Sequence, residues 1–252
     1  MYPTPTLIIF KLLLFKLLLV IPMATSQSLS NGDDHESSSL FCESWRFSVE
    51  ANNAGNWSAV PDRCLEFVKD YMTGDRYKSD FGLTAKNTLE FAKSVDIAED
   101  GKDAWIFDVD ETLISFLPYY ESHGFGKTDQ KEFVKWGLRN KLPALQASLS
   151  LYKEIHQLGF KIFLLTGRPE WFRNFTTTNL AEAGYSDWER LILRQPSDEN
   201  KKAIDYKPEK RKQLLDEGYR IIGNVGDQWS DLMGYPIAQR SFKYPNLMYY
   251  VA

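Results

Sequence analysis

Asp108 and Asp110 close the apolar run Ala104-Trp-Ile-Phe-Asp108-Val-Asp110-Glu-Thr112-Leu-Ile114. In a strand, residues two apart share a face, so the two carboxylates are expected to project together from the carboxyl end of a buried strand, where open α/β sheets bind ligands. Carboxylates that close repel each other. A cation between them keeps both ionised, and an all-oxygen donor set suits Mg²⁺ better than zinc. With the charge compensated in this way, one carboxylate can attack phosphorus while its neighbour moves protons.

Three further segments carry groups that could serve the same chemistry. Phe160-Lys-Ile-Phe-Leu-Leu-Thr166 runs into Gly167-Arg168-Pro169 and then a predicted helix. A hydroxyl and free main-chain N–H groups before a helix N-terminus form a phosphate cradle, although strand-to-helix turns also use such residues for geometry alone. Tyr219-Arg-Ile-Ile-Gly-Asn-Val225 is followed by Gly226-Asp227-Gln-Trp-Ser-Asp231. Capping or pairing with a helix dipole would explain either aspartate alone. It does not explain why an Asp-rich turn follows each of two strands. Lys207, Lys210, Arg211 and Lys212 crowd one helical start, which reads either as a phosphate-binding charge or as a solvated basic face.

The elements that must position these groups alternate. Strands are predicted over Ala104–Val109, Phe160–Thr166, Arg190–Arg194 and Tyr219–Val225, with helices between them, the pattern of a parallel sheet with crossover connections. Leu145, Leu149, Tyr152, Ile155 and Leu158 recur at helical spacing between Pro143 and Gly159. A second helix is expected from Glu170 to about Ala183, ending at Gly184, and a third from Pro208 to Glu217, ending at Gly218. Upstream, Leu65, Phe67, Val68 and Tyr71, then Leu89, Phe91 and Ala92, predict an N-terminal helical region over 41–100 that packs on a catalytic core over 101–252.

The first 26 residues are an apolar stretch broken by Lys11 and Lys16 and ending in small residues. They are expected to be a secretory signal peptide rather than a membrane span, followed by a polar, disordered leader over 27–40. Without them 226 residues remain, enough for one α/β domain. They carry 28 basic and 34 acidic side chains, a net charge of −6 with histidines neutral. Phosphate-backbone binders concentrate positive charge, so a nucleic-acid ligand is not expected. No later segment is long and apolar enough to span a bilayer, so no membrane association is expected after cleavage. The two cysteines, Cys42 and Cys64, read first as a disulfide formed on an oxidising route, worth ~3 kcal/mol for a loop of this size. The alternative is two buried free thiols. Asn56-Trp-Ser58 and Asn174-Phe-Thr176 are glycosylation acceptor triplets. Asn56 falls in a loop-like stretch and Asn174 inside a predicted helix.

Asp108-Val-Asp-Glu-Thr112, Leu165-Thr-Gly-Arg168, Tyr206-Lys-Pro-Glu-Lys-Arg211 and Gly226-Asp-Gln-Trp-Ser-Asp231 resemble, in order, the four motifs of haloacid dehalogenase superfamily phosphatases. Within that superfamily the chain looks like the plant acid phosphatase and vegetative storage protein family, related to bacterial class B and class C acid phosphatases. The resemblance runs from about Cys42 through Ser241-Phe-Lys-Tyr-Pro-Asn-Leu-Met-Tyr-Tyr250. It implies a Rossmann-like α/β fold with a mostly parallel sheet. It also implies a secreted or vacuolar acid phosphatase that hydrolyses small phosphomonoesters through an aspartyl-phosphate with Mg²⁺. Asp108 would be the nucleophile and Asp110 the general acid and base. Thr166, Gly167 and Lys207 would hold the phosphoryl group, with Lys210 the alternative lysine. Asp108 and Asp227, with the main-chain carbonyl of Asp110, would hold the metal, and Asp231 would be a direct or water-mediated partner. Glu111, turned to the opposite face by strand alternation, reads as structural; Thr112 would brace the loop, and the aromatic stretch from Phe116 to Gly126 would either close over the site or pack as an ordinary loop. The expected partners are the substrate and, at most, a second copy of the chain in a homodimer. The rival reading is a nutrient storage protein that keeps the fold with weak or no catalysis, a function some relatives serve.

Overall fold

The computed structural model describes residues 31–126, 128–139 and 141–252. The expected signal peptide and residues 27–30 of the leader lie outside them. In chain order the elements are α1 (Asn31–Glu50), α2 (Leu65–Thr73), α3 (Asp75–Lys93), β1 (Asp103–Phe107), α4 (Leu117–Ser122), α5 (Gln130–Gly137), α6 (Gln146–Leu158), β2 (Lys161–Pro169), α7 (Arg173–Glu182), β3 (Arg190–Arg194), α8 (Ala203–Asp216), β4 (Arg220–Gly226), α9 (Trp229–Leu232) and β5 (Arg240–Lys243).

The strands form one parallel sheet in the order β3-β2-β1-β4-β5. β1 is central and every residue of it is buried, as a strand covered on both faces requires. Alternation assigns its side chains to two cores. Trp105 and Phe107 join Ile162 and Leu164 beneath α3 and α6, while Ala104 and Ile106 join Phe163 and Leu165 beneath Tyr206 and Leu214 of α8. The chain winds from β1 outward to β3, then returns to β4 on the other side of β1. That reversal opens a crevice at the carboxyl ends of β1 and β4, the place where such sheets bind ligands.

The N-terminal helices pack on the first of these cores. Phe91 of α3 meets Trp105 at 6.2 Å and Phe242 of β5 at 5.8 Å, and Phe81 stacks on Tyr244 at 3.8 Å. Cys42 and Cys64 form a disulfide with Cα atoms 5.5 Å apart, joining α1 to the turn before α2. Helix α1 begins at Asn31, so the stretch expected as a disordered leader is helical over its last ten residues. The packed segment from Phe41 supplies the nucleus, and each residue added upstream gains a hydrogen bond with no proline to stop it.

Three other differences have physical causes. Helix α8 starts at Ala203 and not at Pro208, because the Ala203 N–H finds the main-chain oxygen of Ala252 at 2.7 Å and the helix tolerates the one bond that Pro208 removes. The expected helix from Glu170 opens as a single 3₁₀ turn, Glu170–Phe172, before α7. Strand β5 has only Phe242 buried, so no apolar alternation marked it; short polar strands are usual at sheet edges. Among the described residues no helix is long and apolar enough to cross a membrane.

The pairing of β1 with β4 shifts register between Ala104 and Trp105, which sets Trp105 opposite Gly223. A Cβ at Gly223 would lie 2.3–2.5 Å from three Trp105 ring atoms, and that ring is fully buried against Phe160 at 5.1 Å. Gly223→Ala should therefore overpack the core by about 1–3 kcal/mol and lower Tm by about 2–4 °C for each kcal/mol. Gly82→Ala, where a methyl on α3 meets nothing within 4 Å, should raise Tm slightly. Differential scanning calorimetry of both variants checks the pair of signs.

Candidate active site

Three loops converge at the carboxyl end of the sheet. The β1 ladder continues one residue past the strand through Asp108 N–H to Val225 O, 2.9 Å, which fixes the backbone of Asp108 beside β4. The chain then folds back sharply: Glu111 takes a left-handed conformation, φ 54°. Its buried carboxylate accepts Ser115 Oγ and the Phe116 N–H, each at 2.6 Å. Glu111 thus braces the loop, as the sequence suggested. Thr112 does so too, reaching Asp227 Oδ1 at 3.4 Å.

Asp108, Asp227 and Asp231 are all buried, and one carboxylate oxygen from each lies within 4.8 Å of the others. Gly226 permits this convergence, since a Cβ there would meet the Asp231 carboxylate at 2.4 Å. Lys207, on the second turn of α8, sends its ammonium to Asp108 Oδ1 at 2.5 Å and also to Asp231 Oδ1. Asp231 Oδ2 accepts the Gln228 N–H at 2.9 Å. Asp227 Oδ2 accepts two amides at 2.6 Å, Gln228 Nε2 and Asn246 Nδ2. The alternative lysine, Lys210, is turned to Asp198 Oδ2 at 2.8 Å. Arg211 is buried and donates to the carbonyls of Asp231, Gly234 and Pro236. Of the four basic residues in this run, only Lys207 meets the aspartates.

Asp110 is placed differently from the other three acids. Its carboxylate faces the cavity wall, where Arg168 grips it through Nε at 3.0 Å and Nη2 at 2.6 Å, and Arg168 Nη1 is held by Thr176 Oγ1 at 3.0 Å. The side chain of Asp110 is accordingly outside the three-carboxylate cluster. Buried Thr166 accepts the Arg168 N–H at 3.1 Å. Gly167 and Arg168 line the cavity and Thr166 does not.

The cavity above these groups has a volume of about 750 Å³. Its walls are aromatic: Phe116, Tyr120, Phe133, Trp171, Phe172 and Tyr249. The stretch from Phe116 to Gly126 is not a plain loop. Most of it is α4, which with α5 forms a cap whose Phe116 and Phe133 rings lie 4.4 Å apart. Arg168, Gln228, Asn246 and the tail residues Met248 to Val251 belong to the site or border it, and the sequence reading gave none of them a role. The Thr-Gly-Arg motif contained the signal for Arg168. Nothing in the pattern marked Asn246, which depends on where the tail crosses the sheet.

The electrostatics leave the cluster short of positive charge. Burial, opposed by Lys207 and reinforced by Asp231 and Asp227, pushes the Asp108 carboxyl well up. Burial and then the charge of Asp231 raise Asp227 to about 7, and burial raises Glu111 to about 8. Lys207 is raised by Asp108 and Asp231 against its own burial and stays charged. Four carboxylates therefore face two cations, Lys207 and Arg168, and the cluster's all-oxygen donors fit a hard divalent ion.

These directions set a pH dependence. A carboxyl whose folded pKa lies above its unfolded value makes the native state bind more protons, so stability falls as pH rises between the two values. For Asp227 and Glu111 that window runs from about 4 to about 7 and 8. The metal-free protein should lose Tm from pH 5 to pH 8. Added Mg²⁺ should raise Tm more at pH 7.5 than at pH 5, because protons and the cation compete for the same oxygens. Thermal melts with EDTA or Mg²⁺ across this range check both statements.

Comparison with known proteins agrees with this geometry. The model of the HAD superfamily, subfamily IIIB (Acid phosphatase), matches residues 26–252. Acid phosphatase 1 of Solanum lycopersicum is 51% identical over 214 residues, 84% of each chain. Vegetative storage protein 2 of Arabidopsis thaliana is 39% identical over 83% of this chain and 80% of its own. Among solved structures, the class C acid phosphatase from Bacillus anthracis superposes with a TM-score of 0.60 over 74% of this chain and 85% of its own, at 20% identity. The match over the whole catalytic core, with the aspartate and lysine positions filled and converging, places this chain in the acid phosphatase subfamily IIIB of the HAD superfamily.

Proposed function

We propose that the protein hydrolyses small phosphomonoesters at acidic pH through an aspartyl-phosphate on Asp108, with Mg²⁺ as cofactor. The observation that carries this reading is Lys207, buried and bridging Asp108 and Asp231 at the floor of an aromatic cavity. In the first step an Asp108 oxygen forms a bond to phosphorus as the ester P–O bond breaks, and Asp110 delivers a proton to the departing oxygen. In the second step Asp110 takes a proton from water. The water oxygen attacks phosphorus, releasing phosphate and regenerating the Asp108 carboxylate. Lys207 supplies charge to the phosphoryl oxygens, the Gly167 turn, braced by the buried Thr166 hydroxyl through the Arg168 N–H, supplies main-chain donors, and Arg168 holds Asp110 in place. Mg²⁺, held by Asp108, Asp227 and Asp231 with the main-chain carbonyl of Asp110, would offset the charge that otherwise keeps a phosphate dianion from four carboxylates.

The likeness to vegetative storage proteins keeps nutrient storage as the second reading. Competent side chains at every position of the mechanism favour catalysis. The disulfide and the exposed acceptor Asn56 support a route through the secretory pathway to the vacuole or the cell exterior.

Purified protein should release p-nitrophenol from p-nitrophenyl phosphate with Mg²⁺ and stop with EDTA. No release in the presence of Mg²⁺ would leave storage as the better account. Asp108→Asn should lower kcat by at least about 10⁴-fold, as loss of a nucleophile does, with an unchanged fold by circular dichroism. The aromatic walls favour an aryl leaving group. Trp171, 71% exposed at the rim and 4.3 Å from the Phe172 ring, is the group to vary. Trp171→Ala should raise KM for phenyl phosphate about 2- to 13-fold, the worth of one aromatic contact, and leave KM for glycerol phosphate nearly unchanged.

A further inference from the structure

We infer that Asn246 is a positioning residue for the metal site: it fixes the carboxylate of Asp227 in the orientation that a divalent cation needs, and so makes the C-terminal segment from Tyr244 to Val251 part of the active site. This rests on the reading of Asp227 as a metal ligand. Asn246 lies outside the four sequence motifs and is 1% exposed, and its main-chain N–H and both ends of its side-chain amide are engaged. Its main-chain N–H donates to Glu50 Oε1 at 3.0 Å, its Oδ1 accepts the Met248 N–H at 2.8 Å, and its Nδ2 donates to Asp227 Oδ2 at 2.6 Å.

The second of these bonds decides the third. An amide side chain presents an acceptor and a donor that are interchangeable in shape. Because the Met248 N–H demands an acceptor, the oxygen of Asn246 must face the tail and the nitrogen must face Asp227. Gln228 repeats the arrangement: its Oε1 accepts the Val251 N–H at 2.9 Å, which turns its Nε2 to the same Asp227 oxygen at 2.6 Å. Two main-chain donors of the tail thus aim two amide donors at one carboxylate oxygen. Oδ2 is saturated, and Oδ1, with only the 3.4 Å contact to Thr112, is left for the cation. Hydrogen-bonded partners of this kind orient metal ligands, and their loss costs 10- to 100-fold in metal affinity.

The tail is anchored independently. The Tyr250 hydroxyl donates to Asn56 Oδ1 at 2.7 Å, a contact that involves neither Glu50 nor Asp227. Removing one anchor loosens the strap without touching the amide on Asp227, which separates positioning from mere stability.

Isothermal titration calorimetry of the metal-free full chain with Mg²⁺ alone tests the inference, with Tm recorded for each variant. Asn246→Ala and Asn246→Ser should bind Mg²⁺ 10- to 100-fold more weakly than wild type. Asn56→Ala, which removes the Tyr250 anchor, should lower Tm slightly and keep wild-type affinity. Asp227→Asn serves as the reference for a lost ligand. Wild-type affinity in folded Asn246→Ala and Asn246→Ser overturns the inference alone. So does an equal loss of affinity in Asn56→Ala, or failure of both Asn246 variants to fold, either of which makes Asn246 a general structural tie. A wild type that binds no Mg²⁺ removes the reading of Asp227 as a ligand, a separate outcome.

Discussion

The structure is governed by the repulsion among carboxylates gathered where water is scarce. Asp108, Asp227 and Asp231 are nearly inaccessible, and unit charges 4 Å apart that interact by about 1 kcal/mol in water interact by about 4 kcal/mol at the effective dielectric of a protein surface. Ionised side chains do not share such a space unless compensating charge is held beside them. Lys207 supplies part of that charge, and under the proposed function a divalent ion would supply the rest. The same imbalance that raises Asp227 makes the cluster a group that could hold a cation.

Holding the acids together takes rigid loops, and the fold supplies them from three directions. The sheet fixes the backbone of Asp108 against β4. Glu111, buried and in a left-handed conformation, ties the β1 loop back on itself. Arg211, buried under the loop that follows α9, gathers carbonyls that would otherwise be unsatisfied, and Asn224 Nδ2 shares the carbonyl of Asp231 with it at 2.8 Å. Each brace is polar and saturated, as buried polar groups must be. Each acts on the main chain beside an aspartate and not on the substrate.

The sequence disclosed much of this because the chemistry sits at strand ends. Buried parallel strands read as apolar runs, so β1, β2, β3 and β4 were legible to within one to three residues, and the motifs that follow β1, β2 and β4 named Asp108, Asp110, Thr166, Asp227 and Asp231. Lys207 was legible as one of four basic residues. The resemblance preferred it over Lys210, and the helical phase set by a start at Ala203, which Pro208 had masked, turns it to the aspartates. β5 and Asn246 were not legible. The strand is a polar edge with one buried side chain, and the asparagine acts through a contact 19 residues from its partner in the chain, a distance that no local pattern reports.

The arrangement also explains why the N-terminal helices and the C-terminal tail are needed by a site built at the middle of the sheet. A crevice at a switch point is open on the side away from the strands, and the cluster's charges would be screened there by solvent. The aromatic cap of α4 and α5 closes one side, with Tyr120 stacked against Tyr249 of the tail at 5.6 Å. The tail closes the other, held to the N-terminal region by Glu50, Asn56 and the ring of Trp57, 6.3 Å from Tyr250. The disulfide secures the helix that carries Glu50. Excluding water strengthens the attraction between Lys207 and its aspartates and, equally, the repulsion among the aspartates. The enclosure that sharpens both interactions is therefore what would give a bound cation its weight in the proposed chemistry.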